Sequence, residues 1–264
     1  MLRREMAGPL AFRLGLPPSL GREPSWELAR ELAALLHAQG FAMVIPCKSY
    51  EDLEQKLFAG AIDVAWGPPI VCARVEAAGG AVLWRGVRGE ERTYRSALVA
   101  RAQDVFDLDS LDKGAFRPRV AWVDRSSVGG YLLARAHLRR LGIAVDRAFL
   151  QQAIMGSYAA CIDALLGFET DLAALFVGAG GLEPLWGPKA QRLRVLAYTE
   201  EVPNDGVVLS PALSPERATL LRDRLGKVLA APRLRKQITA MLQVDDFDEP
   251  PPGTYGPVLK LCEQ

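Results

Sequence analysis

Apolar and polar positions along this chain switch between two rhythms. Short continuous apolar runs at 11–16 (AFRLGL), 41–46 (FAMVIP), 62–66 (IDVAW) and 81–87 (AVLWRGV) have the length of buried strands. Between them, apolar residues recur at helical spacing. Leu28, Leu32, Leu35 and Leu36 share one face of a predicted helix from Trp26 to about Gln39, capped by Ser25 and stopped by Gly40. Ser49 caps a second helix, EDLEQKLFAG, with Asp52 at capping-box spacing. Gly67-Pro68-Pro69 then breaks the chain before a third helical stretch, IVCARVEAA. This βαβαβαβ order predicts an α/β fold with a mostly parallel sheet and helices on both faces.

A second alternating set follows. A long strand is predicted from Thr93 to Arg101, then RVAWVD as a strand, a serine-glycine turn, and the helix YLLARAHLRRLG. AFLQQAIM is a strand region, Gly156-Ser157-Tyr158 opens the helix AACIDALLG, and DLAALFV is again a strand. RLRVLAYTE and GVVLSPAL are two more, separated by VPND. Ser214-Pro215-Glu216 starts a helix reaching about Leu229, and PRLRKQITAMLQ makes another. The proline-rich tail from Asp245 reads as an irregular surface segment, and no internal repeat is visible. The pattern divides into two lobes, 1–95 with 205–264 and 96–204. Two strand-like crossovers near 94–101 and 196–208 would form a hinge, with a ligand cleft at the centre.

Composition narrows the function. Lys plus Arg number 32 and Asp plus Glu 31 in 264 residues, a formal net charge of +1. No basic field points to nucleic acid, so a charged ligand must be held by local groups. Cys47, Cys72, Cys161 and Cys262 form no CxxC pair and predict neither a zinc site nor a disulfide framework. No metal or cofactor is expected. The longest apolar run, LAALFVGAGGL, is too short to span a membrane. The N-terminus has basic residues without a long apolar core, so the expectation is a cytoplasmic protein, or a periplasmic one if a leader precedes it.

The main chemical candidate is VDRSSVGGYL, residues 123–132. Ser126, Ser127, Gly129 and Gly130 lie where a strand gives way to a helix, where unpaired N–H groups and the helix dipole favour an anion. The bland alternative is a plain serine cap with glycines easing the turn. Other strand ends offer Tyr50, Trp66 with Gly67, and Ser157 with Tyr158, while Tyr198, Thr199 and Asp205 lie near the second crossover. Taken singly, each aromatic is more often core packing, and Asp205 could simply form a turn with Asn204 and Gly206. Catalysis finds little support. His37 and His137 both fall near helix C-termini, Asp63 and Asp171 read as solvated turn carboxylates, and no hydrolase or nucleotide-binding motif occurs.

Taken in order, SYEDLEQKLFAGAIDVAWGPP, the segment from YRSALVARA to HLRRLGI, AIMGSYAACIDALLGFETDLAAL and EVPNDGVVLSPAL resemble the phosphonate- and phosphite-type ABC transporter substrate-binding proteins. The resemblance covers roughly residues 10 to 240. It implies a type II periplasmic-binding-protein fold in which Ser126 and Ser127 bind the oxyanion and Tyr50 is a further ligand contact. Two positions depart from the family pattern: Gly129 replaces a third hydroxyl, and Tyr158 replaces a histidine. The implied function is binding of a small anionic or polar ligand (phosphonate, phosphate, sulfonate or carboxylate). The partner would be an ABC transporter or a signalling protein. The alternative is an enzyme on the same scaffold, like the chorismate dehydratases or thiamin-precursor synthases.

Overall fold

The computed structural model describes residues 11–20, 23–112, 116–178 and 180–262. The N-terminal stretch through Leu10 and the side chain of Ser25 lie outside the described residues. Two compact units form, one from 1–90 with 205–254 and one from 91–204 with 255–264.

In the first unit a six-stranded sheet runs in the order Asp246–Asp248, Val82–Val87, Gly206–Leu209, Val64–Gly67, Phe12–Leu16, Phe41–Pro46. Phe12–Leu16 pairs in parallel with both Phe41–Pro46 and Val64–Gly67. The returning strand Gly206–Leu209 inserts antiparallel between Val64–Gly67 and Val82–Val87, so the sheet is mixed at that point. The helix Ser25–His37 turns Leu32 and Leu36 into a core with Phe12, Leu16, Trp66, Leu221 and Val228. Ser49 accepts the Asp52 N–H at 3.0 Å, while the Asp52 carboxylate reaches the Lys48 N–H at 2.9 Å. Both donors at the start of the helix Tyr50–Phe58 are thereby satisfied.

The second unit has five strands in the order Leu193–Pro203, Thr93–Arg101, Leu172–Val177, Arg119–Trp122, Gln151–Ile154. The last three run parallel; Thr93–Arg101 is antiparallel to both of its neighbours. The tail is more ordered than its composition suggested. Asp246–Asp248 closes the edge of the first sheet, and Gly256–Cys262 is a helix belonging to the second unit, not to the first lobe. Buried Tyr255 fixes the start of that helix by donating its hydroxyl to the Asn204 carbonyl at 2.7 Å.

Each unit contains one arrangement that sequence inspection did not register as a repeat. Asp63 opens the strand Val64–Gly67 and accepts the backbone N–H of Arg13 at 2.8 Å and its Nε–H at 2.9 Å. Asp171 opens Leu172–Val177 and accepts the same two groups of Arg119 at 3.0 and 2.9 Å. The second guanidinium arm donates to Gly60 O in one unit and to Phe168 O in the other. Both carbonyl-bearing residues are left-handed, Gly60 at φ 66° and Phe168 at φ 64°. Glycine takes that conformation freely. Phe168 is held there with the Arg101 guanidinium 4.6 Å above its ring. Asp63 and Asp171 are therefore strand braces, not the solvated turn carboxylates expected. Burial takes their water, and the arginines replace it.

The Arg119 side chain, with Arg101, holds the Asp171 carboxyl well below the ordinary carboxylate range. A group lowered on folding contributes stability above its unfolded pKa, and that contribution is lost as pH falls towards the folded value. Asp171→Asn is expected to lower the urea midpoint at pH 7 and to flatten its decline below about pH 4, near the free aspartate value. An acid limb identical to the wild type would contradict this.

Candidate functional site

The serine-glycine stretch starts from the parallel strand Arg119–Trp122. Beyond buried Val123, the Asp124 carboxylate accepts the Ser126 N–H at 2.8 Å and its carbonyl accepts the Ser127 N–H at 3.0 Å. The helix starts earlier than its apolar pattern suggests, at Val128. Its opening residues Val128–Leu132 form a π-helical turn before Leu133–Arg140 continues as α-helix. The extra width shows in the Leu132 N–H, which donates to Ser127 O at 2.9 Å. Such turns are concentrated at functional sites.

Ser127 is the cap: its Oγ accepts the Gly130 N–H at 3.1 Å, and the residue is only 2% exposed. Ser126 is half-buried, and its hydroxyl has no partner among the described residues. Nor do the N–H groups of Val128 and Gly129, the first donors of the helix. A hydroxyl and two amide donors within four consecutive residues at the positive end of a helix thus have no partner among the described residues.

Gly129 is tightly surrounded. A Cβ there would lie 2.9 Å from the Tyr158 hydroxyl, 2.9 Å from Phe176 Cβ and 3.1 Å from the Tyr94 ring. Its carbonyl accepts the Ser96 hydroxyl at 2.6 Å. Tyr158 begins the helix Tyr158–Leu166, which Ser157 caps by accepting the Ala160 N–H at 3.2 Å. The Tyr158 hydroxyl lies 3.3 Å from Ser127 Oγ, and its ring packs on Phe176 and Trp186 at centroid distances of 5.0 and 5.7 Å. A phenol hydroxyl occupies the space that a side chain at 129 would need.

Sequence reasoning missed Ser96, Tyr94, Phe176 and Trp186. Phe176 is the last residue but one of the apolar run DLAALFV, and nearness to a strand end was the available signal; Trp186 had none. Thr199 is buried, and its Oγ1 accepts the Ser96 N–H and donates to Glu200 O, both at 2.9 Å, at a ladder irregularity. Tyr198 is 38% exposed, with the Arg95 guanidinium 4.0 Å from its ring centre.

Within the first unit, Trp66 lies on the strand Val64–Gly67. It is 3% exposed, packs edge-on against Phe247 at 6.0 Å, and belongs to the core. Gly67 is bare for packing reasons, since a Cβ would meet Val208 Cγ1 at 2.8 Å. Tyr50 is buried at the first position of its helix. Asp205 does more than turn the chain: its carboxylate pairs with Arg88 at 3.1 Å and its carbonyl takes the Gly86 N–H at 2.9 Å.

All four cysteines are buried, with the Cys47 and Cys161 thiols pushed up to about 11 and about 12 by loss of hydration. Burial lowers the His137 pKa, opposed by the nearby Glu200 carboxylate. Among the described residues no group of three or more His, Cys, Asp or Glu could hold a metal ion. Among the same residues, no helix is long and apolar enough to cross a membrane.

Residues 27–255 match the family model for the phosphonate ABC transporter periplasmic substrate-binding protein. The chain belongs to that family. Solved structures share its type II periplasmic-binding-protein fold. A binding component of an ABC phosphonate transporter from Pseudomonas aeruginosa is 22% identical, with a TM-score of 0.77 over 95% of this chain and 85% of that one. PhnD1 from Prochlorococcus marinus, in complex with methylphosphonate, is 15% identical with a TM-score of 0.75 over 96% and 97%. A Xanthomonas citri protein bound to ATP is 19% identical with a TM-score of 0.74 over 96% of each chain. No curated protein matches the chain. As a phosphonate-family substrate-binding protein, it is a small-ligand receptor whose family works with ABC transporters.

Proposed function

We propose that this substrate-binding protein takes a small organic oxyanion at the 126–130 turn, as a solute-binding or ligand-sensing protein. The observation that carries the reading is that three donors at one helix start, Ser126 Oγ and the N–H groups of Val128 and Gly129, have no partner among the described residues. The Tyr158 hydroxyl adds a fourth polar group beside Ser127, in place of the hydroxyl that Gly129 lacks. Structural relatives hold methylphosphonate, ATP or chloride, all anions, which supports the class of ligand without naming one.

Thermal-shift measurements with inorganic phosphate, methylphosphonate, methanesulfonate and acetate test it. A ligand present at 100 times its Kd adds about 2.7 kcal/mol of stability, a rise of several degrees. Ser126→Ala is the clean probe, since its hydroxyl makes no internal bond. It should leave the ligand-free Tm unchanged and shrink the shift. Ser127→Ala also loses a helix cap, worth about 1 kcal/mol. If none of the four anions shifts the wild type, or Ser126→Ala/Ser127→Ala shifts as much as wild type, the reading fails.

A further inference from the structure

Ser96 is wholly buried on the strand Thr93–Arg101, and both of its donors are engaged. Its hydroxyl donates to Gly129 O at 2.6 Å, and its N–H donates to Thr199 Oγ1 at 2.9 Å. The first of these bonds answers a need of the π-helical turn. In an α-helix the Leu133 N–H would bond to the carbonyl four residues back, which is Gly129 O. Here it donates to Val128 O, five residues back, just as the Leu132 N–H donates to Ser127 O. The Ser96 hydroxyl supplies a donor to the carbonyl from which the widening took one.

A trans peptide points its N–H opposite to its C=O, so whatever holds the carbonyl aims the amide. The peptide joining 127 to 128 is held at Ser127 O by Leu132, and the next at Val128 O by Leu133. Their N–H groups, those of Val128 and Gly129, therefore face out of the helix start. The third peptide is gripped at both ends, its carbonyl by Ser96 and its Gly130 N–H by Ser127 Oγ at 3.1 Å. Gly129 joins the second peptide to the third, and without a Cβ its backbone has little conformational preference of its own. The grip on the third peptide thus sets the angle of the second. We infer that Ser96 is a positioning residue: through the Gly129 carbonyl it fixes the π-helical turn and aims the Gly129 N–H, so that affinity for an oxyanion depends on a hydroxyl that does not touch the ligand. The inference deepens the anion-binding reading above and rests on it for the ligand.

Calorimetric titration of wild type, Ser96→Ala and Ser96→Cys with methylphosphonate, methanesulfonate, acetate and inorganic phosphate tests it, together with amide NMR spectra of the same proteins. For whichever anions bind the wild type, Ser96→Ala should weaken affinity about tenfold, the worth of one hydrogen bond to a charged group. Ser96→Cys keeps a weaker donor of similar size and should fall in between. It carries the same comparison if Ser96→Ala does not fold. Both variants should lose stability whatever the role of Ser96, so the deciding readout is the ligand-induced shift of the Gly129 amide resonance. That shift should shrink in Ser96→Ala and partly return in Ser96→Cys. A lower ligand-free Tm with affinity and the Gly129 shift unchanged would show a purely structural serine and overturn the proposal. Ser126→Ala separates the two readings. Binding weakened there but intact in Ser96→Ala overturns the role of Ser96 alone. A wild type that binds none of the four anions overturns both.

Discussion

Asp63→Ala is expected to remove about 1–3 kcal/mol of folding stability, the usual cost of taking a buried acceptor away from its hydrogen-bond donors. The Asp63 side chain is 3% exposed and stands between Arg13 at 2.9 Å and Arg217 at 3.3 Å. Removing it leaves Arg13 with Gly60 O and Arg217 with Ala11 O, both arginines half-exposed, but takes the acceptor from the Arg13 N–H at the start of Phe12–Leu16. Asp63→Asn should cost less, because an amide oxygen still accepts one bond. Urea unfolding measures both. An alanine variant within about 0.5 kcal/mol of wild type, the range of ordinary surface substitutions, would mean the brace is ornamental.

The second large effect is at Gly129. Gly129→Ser, which restores the hydroxyl of the family pattern, is expected to destabilise by about 1–3 kcal/mol as an overpacked core position. Its new Cβ would press on the Tyr158 hydroxyl and Phe176 Cβ, each at 2.9 Å. Tyr158→His on its own vacates space and loses ring contacts with Phe176 and Trp186. The pair together should cost less than the sum, with a coupling of about 0.5–3 kcal/mol as for residues in contact. Relief is partial because Phe176 stays in place. Additive losses in the double variant would show that positions 129 and 158 do not share one space.

Much of the fold was legible because its signals are local. The strand Thr93–Arg101 follows from its apolar length, and the caps at Ser49, Ser157 and Ser214 follow from short polar side chains placed three residues before an N–H. The helix Gly256–Cys262 was illegible, because the prolines before it carry a turn signal and the helix depends on Tyr255 docking to Asn204. At the site, the serine turn and Tyr158 were visible as residues, but Ser96 was not. It belongs to a strand about 30 residues upstream in sequence, and strand residues carry no mark of what they pack against.

The sequence by itself determined the order of elements, the capped helix starts and the hydroxyl-rich turn, since each arises from neighbours within a few residues. Tertiary structure alone decided that Gly206–Leu209 enters the first sheet between strands it follows by more than a hundred residues. It alone turned Asp63 and Asp171 from turn carboxylates into braces, put Trp66 in the core, and set a phenol where Gly129 has no side chain. The physical reason is the same each time. Desolvation and close packing depend on which distant residues fill the same few ångströms, and local periodicity does not record them.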